Sequence, residues 1–205
     1  MLKLLSRALG GLLLVVLAGC CANNPCDCQD LLADSLYFSF KTSGPNAFSV
    51  NEIQNVYLAR YDSTKLTINR DSLPLPRNQR TTKALRRHLG VDLKVDTMGL
   101  VIISNNAPFA AASSTAKLSG YVYRLYVPQD STVAGTLKKH SYTKFTLDRI
   151  RLIGRYQADG CCTCYENSFK RVRVTGGSYP TGSVLNVTED GRGSDRKPVV
   201  IQLSK

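Results

Sequence analysis

Between residues 35 and 203, apolar and β-branched positions gather into short runs separated by turn formers. "SLYFSF" (35–40), "NVYLARY" (55–61), "KLTIN" (65–69), "VDLKV" (91–95) and "GLVIIS" (99–104) come first. "GYVYRLYV" (120–127), "SYTKFTL" (141–147), "RIRLIGRY" (149–156), "KRVRVTG" (170–176), "SVLNVT" (183–188) and "PVVIQL" (198–203) follow. Several alternate with a period of two, as Val91, Leu93 and Val95 do against Asp92 and Lys94, or Val172 and Val174 against Arg171 and Arg173. That period sends successive side chains to opposite faces of a strand. Short strands at this spacing predict a mainly β body, an antiparallel β-sandwich or barrel. "TGGS" (175–178) predicts a tight turn between two of them. One stretch carries the helical period instead. In "TTKALRRHLG" (81–90), Thr82 is an N-cap, Leu85 and Leu89 stand four apart and Gly90 is a stop, which predicts one short helix near 82–89. "NNAPFAAASSTAK" (105–117) reads as a long loop. "FSVNEIQNV" from Phe48 and "FTLDRIRLI" from Phe145 share the spacing of Phe48/Phe145, Ile53/Ile150 and Val56/Ile153, an echo that two related β lobes would produce.

The first twenty residues belong to a different pattern. "MLKLLSRALGGLLLVVLAGC" places Lys3 and Arg7 before an apolar run from Ala8 to Ala18, too short for the roughly 20 residues that a membrane-crossing helix needs. "LAGC" (17–20) resembles the lipobox of bacterial lipoproteins. The resemblance implies that residues 1–19 are a signal peptide. It also implies that Cys20 becomes the first mature residue and carries diacylglycerol, usually with a further palmitate-like chain. Two or three acyl chains hold a protein at a bilayer where one does not. The expected organisation is a signal peptide (1–19), a lipidated cysteine-rich tether (20–34) and a β-sandwich-like body (35–205). The expected location is the bacterial cell envelope, at the outer membrane, through a lipid anchor. The body resembles, loosely, the small β-rich lipoproteins of Gram-negative envelopes, a likeness that implies no activity.

Export changes how the cysteines read. Beyond Cys20, six remain: Cys21, Cys26 and Cys28 near the start, and Cys161, Cys162 and Cys164 in "DGCCTCYEN" (159–167). An oxidising compartment favours disulfides for an even set, and six cysteines allow about 15 pairings that sequence does not rank. "CDC" facing "CCTC" would close a loop of over a hundred residues and staple the tether to the distal half. The alternative is a thiolate site for zinc or copper(I). Against it, C-x-C intervals and adjacent pairs are present among the cysteines, and His88 and His140 stand far away in sequence. Redox catalysis ranks below both of these readings.

Chemistry is otherwise sparse. No G-x-S-x-G, H-E-x-x-H, Walker or Rossmann pattern occurs. "STAK" (114–117) and "SYTK" (141–144) match S-x-x-K, but they fall in an expected loop and an expected strand, where serine and lysine do not stack on one helical face. Glutamate occurs only at 52, 166 and 189, which disfavours a paired-carboxylate glycosidase. No catalytic residue and no cofactor is expected.

Charge gives the one functional expectation with a physical basis. The formal charge is +12. Removing residues 1–19, which carry Lys3 and Arg7 and no acid, leaves +10. Arg77, Arg80, Lys83, Arg86 and Arg87 concentrate five cations in eleven residues without a carboxylate. Held near a membrane, they form an expected binding surface for anionic lipid or polysaccharide, and a plain solvated face is the competing reading. Nucleic acid is not an expected partner, because export takes the chain away from it.

Five of the twelve aspartates are followed by Ser or Thr, at Ser35, Ser63, Ser72, Thr97 and Ser131. This is similar to the O-glycosylation sequon of one Gram-negative lineage, and it equally fits Asp-Ser and Asp-Thr turn chemistry. Both readings place these residues on the surface. The expected function is a membrane-anchored envelope lipoprotein with a binding or structural role. A surface glycan-binding or adhesin-type module is the alternative, and a thiolate metal-binding protein the second alternative.

Overall fold

The computed structural model describes residues 26, 28, 33–64, 69–76, 100–109, 117–129, 141–159, 162–189 and 198–205. The segments expected as a strand at 91–95 and as a helix near 82–89 lie outside them. The described chain is mainly β: β1 (Leu36–Phe40), β2 (Asn55–Asp62), β3 (Asn69–Pro76), β4 (Val101–Ile103), β5 (Tyr121–Pro128), β6 (Tyr142–Asp159), β7 (Cys162–Gly176), β8 (Tyr179–Asn186) and β9 (Val200–Leu203). A 3-10 turn at Leu118–Gly120 leads into β5.

The strands form two sheets, one in the order β4-β1-β9 and one in the order β3-β2-β5-β6-β7-β8. All pairings are antiparallel except β1 with β9, where Tyr37–Phe40 lies parallel to Val200–Leu203. The sandwich is held by a large core to which both sheets contribute. Leu36, Phe38 and Phe40 of β1, Val101 and Ile103 of β4, and Ile201 and Leu203 of β9 meet Val56 and Leu58 of β2, Tyr123, Leu125 and Val127 of β5, Phe145 and Leu147 of β6, and Val172 and Val174 of β7. The period-two alternation sends these residues inward, and each fully buried large apolar side chain contributes about 1.5–3 kcal/mol. Phe48 bridges the layers, its ring edge-on to Phe40 at 5.7 Å and to Phe145 at 6.2 Å.

The echo between Phe48 and Phe145 does not extend to matching elements. Residues 48–54 are turn and coil, while residues 145–153 are strand, and the two phenylalanines pack against each other in one core.

Three local features differ from the sequence pattern. β3 runs through Pro74 and Pro76, which an interior strand excludes; among the described residues it is an edge strand, pairing only with β2. The runs 141–147 and 149–156 are one 18-residue strand, β6. A register shift between Asp148 and Arg151, with Arg149 at φ 48°, forms a bulge that joins them. Arg60 alternates inward with Val56 and Leu58. Its guanidinium lies between the Phe109 and Tyr121 rings, at 4.8 and 4.7 Å, and its Nε donates to Asp71 at 3.0 Å. The expected turn at "TGGS" is present: Gly176 pairs with Tyr179, and Gly176 and Gly177 have φ of 111° and 51°.

Candidate functional site: a disulfide-strapped hairpin arm

β6 and β7 are far longer than their neighbours require. β5 pairs with β6 only from Tyr142 to Leu147, and β8 pairs with β7 only from Arg171 to Gly176. Pairing between β6 and β7 continues to Asp159 and Cys162, so residues 152–159 and 162–170 project as a two-stranded arm. Eight residues at about 3.3 Å each make the arm roughly 26 Å long.

The chain's N-terminal segment is strapped along this arm. Cys26 is bonded to Cys162 and Cys28 to Cys164, with Cα atoms 5.5 and 5.3 Å apart, inside the usual disulfide range. Both bridges span 136 residues, so two i, i+2 pairs match in the same chain direction and the segment runs parallel to β7. The contacts continue inward from the bridges. Asn167 Nδ2 donates to the Ala33 carbonyl at 2.6 Å and to the Asp34 carboxylate at 2.8 Å. Lys170 Nζ donates to the Ser35 carbonyl at 2.9 Å and pairs with Glu189 at 2.8 Å. Asn105 Nδ2 also donates to Asp34, at 2.9 Å, while its own side-chain oxygen accepts from the Leu118 amide at 2.6 Å. Cys26 and Cys28 are thus fixed by covalent bonds, and Ala33, Asp34 and Ser35 by hydrogen bonds from Asn167 and Lys170.

Gly154 shows how tightly the arm is built. A Cβ there would collide with the Tyr165 hydroxyl, because the Tyr165 ring lies across the glycine. Burial raises the Tyr165 pKa above its ordinary value of 10.0, and the nearby Asp34 charge raises it further.

The four described cysteines are oxidised and offer no thiolate, which corrects the metal alternative at Cys26, Cys28, Cys162 and Cys164. Cys20, Cys21 and Cys161 lie outside the described residues, as do Arg77, Arg80, Lys83, Arg86 and Arg87, and Thr97 and Ser131. Ser63 and Ser72 are exposed, as expected. Ser35 is not. Its side chain is fully buried and its hydroxyl has no hydrogen-bond partner, so the expectation of a surface position, and with it of a glycan acceptor in the folded protein, is corrected there. Burial follows from its place between Asp34, held by Asn167, and the first residue of β1. At "DST" (62–64) the aspartate performs turn chemistry, accepting from the Thr64 amide at 2.8 Å and its hydroxyl at 2.6 Å.

Two surface features escaped the sequence reading. At the base of the arm, Arg151 and Arg171 are register partners, and their guanidinium carbons lie 5.6 and 5.7 Å from the Phe169 ring. On the outer face of the larger sheet, Tyr61, Tyr126 and Tyr142 cluster. The Tyr61 and Tyr126 hydroxyls are 3.4 Å apart, the Tyr126 and Tyr142 rings meet edge-on at 6.3 Å, and Arg124 lies over Tyr61 at 4.4 Å. Tyr57 and Tyr142 keep nearly half their surface in solvent. The signal for the first was present in "RIRLIGR" and "KRVRV", whose arginines alternate at the strand period. The second needs the β2–β5–β6 register, which is non-local. No family model, no curated protein and no solved structure matches the chain.

Proposed function

We propose that the chain is a membrane-anchored envelope lipoprotein whose β-sandwich acts by binding or structural support rather than by catalysis. The observation that carries this reading is the strap. The segment that follows "LAGC" is joined by two disulfides to a projecting arm, which suits an exported chain folding in an oxidising compartment and a body held through its N-terminus. Cys20 is then the acylated residue, the outer membrane the site of anchoring, and anionic lipid or polysaccharide the surface met by the basic body. Replacing Cys20 with Ser should release the protein from the membrane fraction, and the wild-type N-terminal peptide should carry the acyl mass. An unacylated wild-type peptide with unchanged fractionation overturns the reading.

A surface glycan-binding or adhesin-type role is the second reading, favoured by the tyrosine face. Flat aromatic rings beside hydrogen-bonding donors suit sugar rings, which present apolar faces and hydroxyl edges. Binding to envelope polysaccharide that is abolished by Tyr57→Ala with Tyr142→Ala, and unaffected by charge changes at the arm's base, would favour it over the structural role.

A further inference from the structure

Arg151 and Arg171 face one another across the β6–β7 pair, an arrangement that destabilises an antiparallel ladder when both partners carry the same charge. Their neighbour Arg173 is neutralised, since its Nε donates to Asp148 at 2.7 Å. Arg151 and Arg171 have no carboxylate partner among the described residues. Each is held against the Phe169 ring instead, a contact that orients a guanidinium without cancelling its charge. Alternation puts Ile153 on the same face as Arg151, and Phe169 and Val184, the register partners of Ile153 and Arg173, on that face too. Ile153 is 44% exposed and Val184 57%. The face therefore combines two uncompensated cations with exposed apolar side chains, and Arg149 is exposed beside them.

The strap sets where this face is carried. Cys26 sits at the arm's tip through Cys162, and six Cα–Cα steps separate it from Cys20, a reach of at most about 22 Å. The arm itself is roughly 26 Å long, so a chain fixed to a bilayer at Cys20 has enough slack to lay the arm along the surface.

We propose that the Arg151–Arg171 face, at the base of the arm, docks on an anionic phospholipid surface, with the guanidiniums on the phosphates and Ile153 and Val184 in the interface. The proposal rests on the lipid-anchor reading. Each basic residue near an anionic bilayer improves binding about fivefold. Tethering makes the encounter intramolecular, so two or three such residues suffice.

The chain has no tryptophan, so Ile153→Trp places a single reporter on the proposed face. The acylated full chain carrying it is mixed with vesicles of phosphatidylcholine alone or with added phosphatidylglycerol, each with brominated acyl chains. The expected result is a blue-shifted, bromine-quenched tryptophan on the anionic vesicles only. The signal should reverse as salt rises, and the docking constant should fall roughly 25-fold with Arg151→Gln and Arg171→Gln. Removing a like-charge pair leaves thermal stability equal or higher, so unfolding does not account for the loss. Protein that sediments with both vesicle types while the tryptophan stays solvent-exposed overturns the docking and leaves the anchor standing. Quenching that persists in the double variant also overturns it, as does a shift produced by lipid-free anionic polysaccharide and not by vesicles. Failure to sediment with neutral vesicles, together with quenching on anionic ones, removes the anchor and keeps the docking. Failure of both removes both.

Discussion

Lys170 and Glu189 form a 2.8 Å ion pair in which the lysine side chain is 1% exposed and the glutamate 6%. Two buried charges are costly to desolvate, and the pair is sustained because Lys170 also donates to the Ser35 carbonyl. Lys170→Met leaves Glu189 without this partner and the Ser35 carbonyl without its donor. It should destabilise the fold by about 3–5 kcal/mol in urea titration. Adding Glu189→Leu should restore most of that. A double variant as weak as the single would mean that the pair is not the seat of the loss.

The two disulfides should contribute unequally according to the order of removal. The first bridge closes a loop of 136 residues and constrains the unfolded chain by about 5 kcal/mol in the chain-entropy model. With it in place, the second closes a ring of about six residues and adds about 2 kcal/mol. Cys28→Ser with Cys164→Ser should therefore cost about 2 kcal/mol, and loss of all four cysteines much more. Non-reducing peptide mapping should join Cys26 to Cys162 and Cys28 to Cys164. A crossed pairing would remove the parallel strap.

Strand identity was legible where hydrophobic alternation is local, as at Val172 and Val174 or at Tyr121 to Val127, because period two records which face is buried. It failed at Pro74 and Pro76, because whether a proline is tolerated depends on which strand ends the sheet, a property of the whole order. It also failed at Arg149, where a left-handed backbone at a residue other than glycine joins two runs into one strand. The staple between the two cysteine groups was legible from the expected export and from parity. Its register was not, since only the laid-down segment matches Cys26 to Cys162 rather than to Cys164. The cationic face at the arm's base stayed hidden because Arg151 and Arg171 become neighbours only through the β6–β7 register. Ser35 misled because an Asp-Ser pair carries no record of tertiary burial.

Gly176 and Gly154 should respond differently to the same methyl group. At Gly176 a Cβ meets the backbone carbonyl of Lys144, and φ is 111°, so neither partner yields. Gly176→Ala should cost about 3 kcal/mol. At Gly154 the obstacle is the Tyr165 hydroxyl end, which can swing away, and the cost should be about 1 kcal/mol. That swing separates Tyr165 from Asp34, so Gly154→Ala should bring the Tyr165 titration back toward its ordinary value. Equal losses at the two sites would contradict this account.

Alkaline pH should unfold the protein from one direction. Burial raises the phenol pKa of Tyr123, against a lowering by Arg60. It also raises that of Tyr126, with the Tyr61 hydrogen bond adding to it, and that of Tyr165, with Asp34 adding to it. All three depart upward from 10.0. The folded protein then keeps protons that the unfolded chain gives up above about pH 10, so unfolding releases protons there. Their stabilising share is fully present below pH 10 and is lost as pH climbs toward the folded values. The urea midpoint should be insensitive to these groups up to about pH 9.5 and fall beyond it. Absorbance near 295 nm should show part of the phenolate signal appearing only as the fold is lost. Tyr165→Phe should make the fall shallower, while at neutral pH it costs only the hydroxyl's hydrogen bond to Asp34, about 1 kcal/mol. Its ring still covers Gly154. A midpoint that falls equally steeply in the variant would show that Tyr165 does not contribute to the alkaline transition.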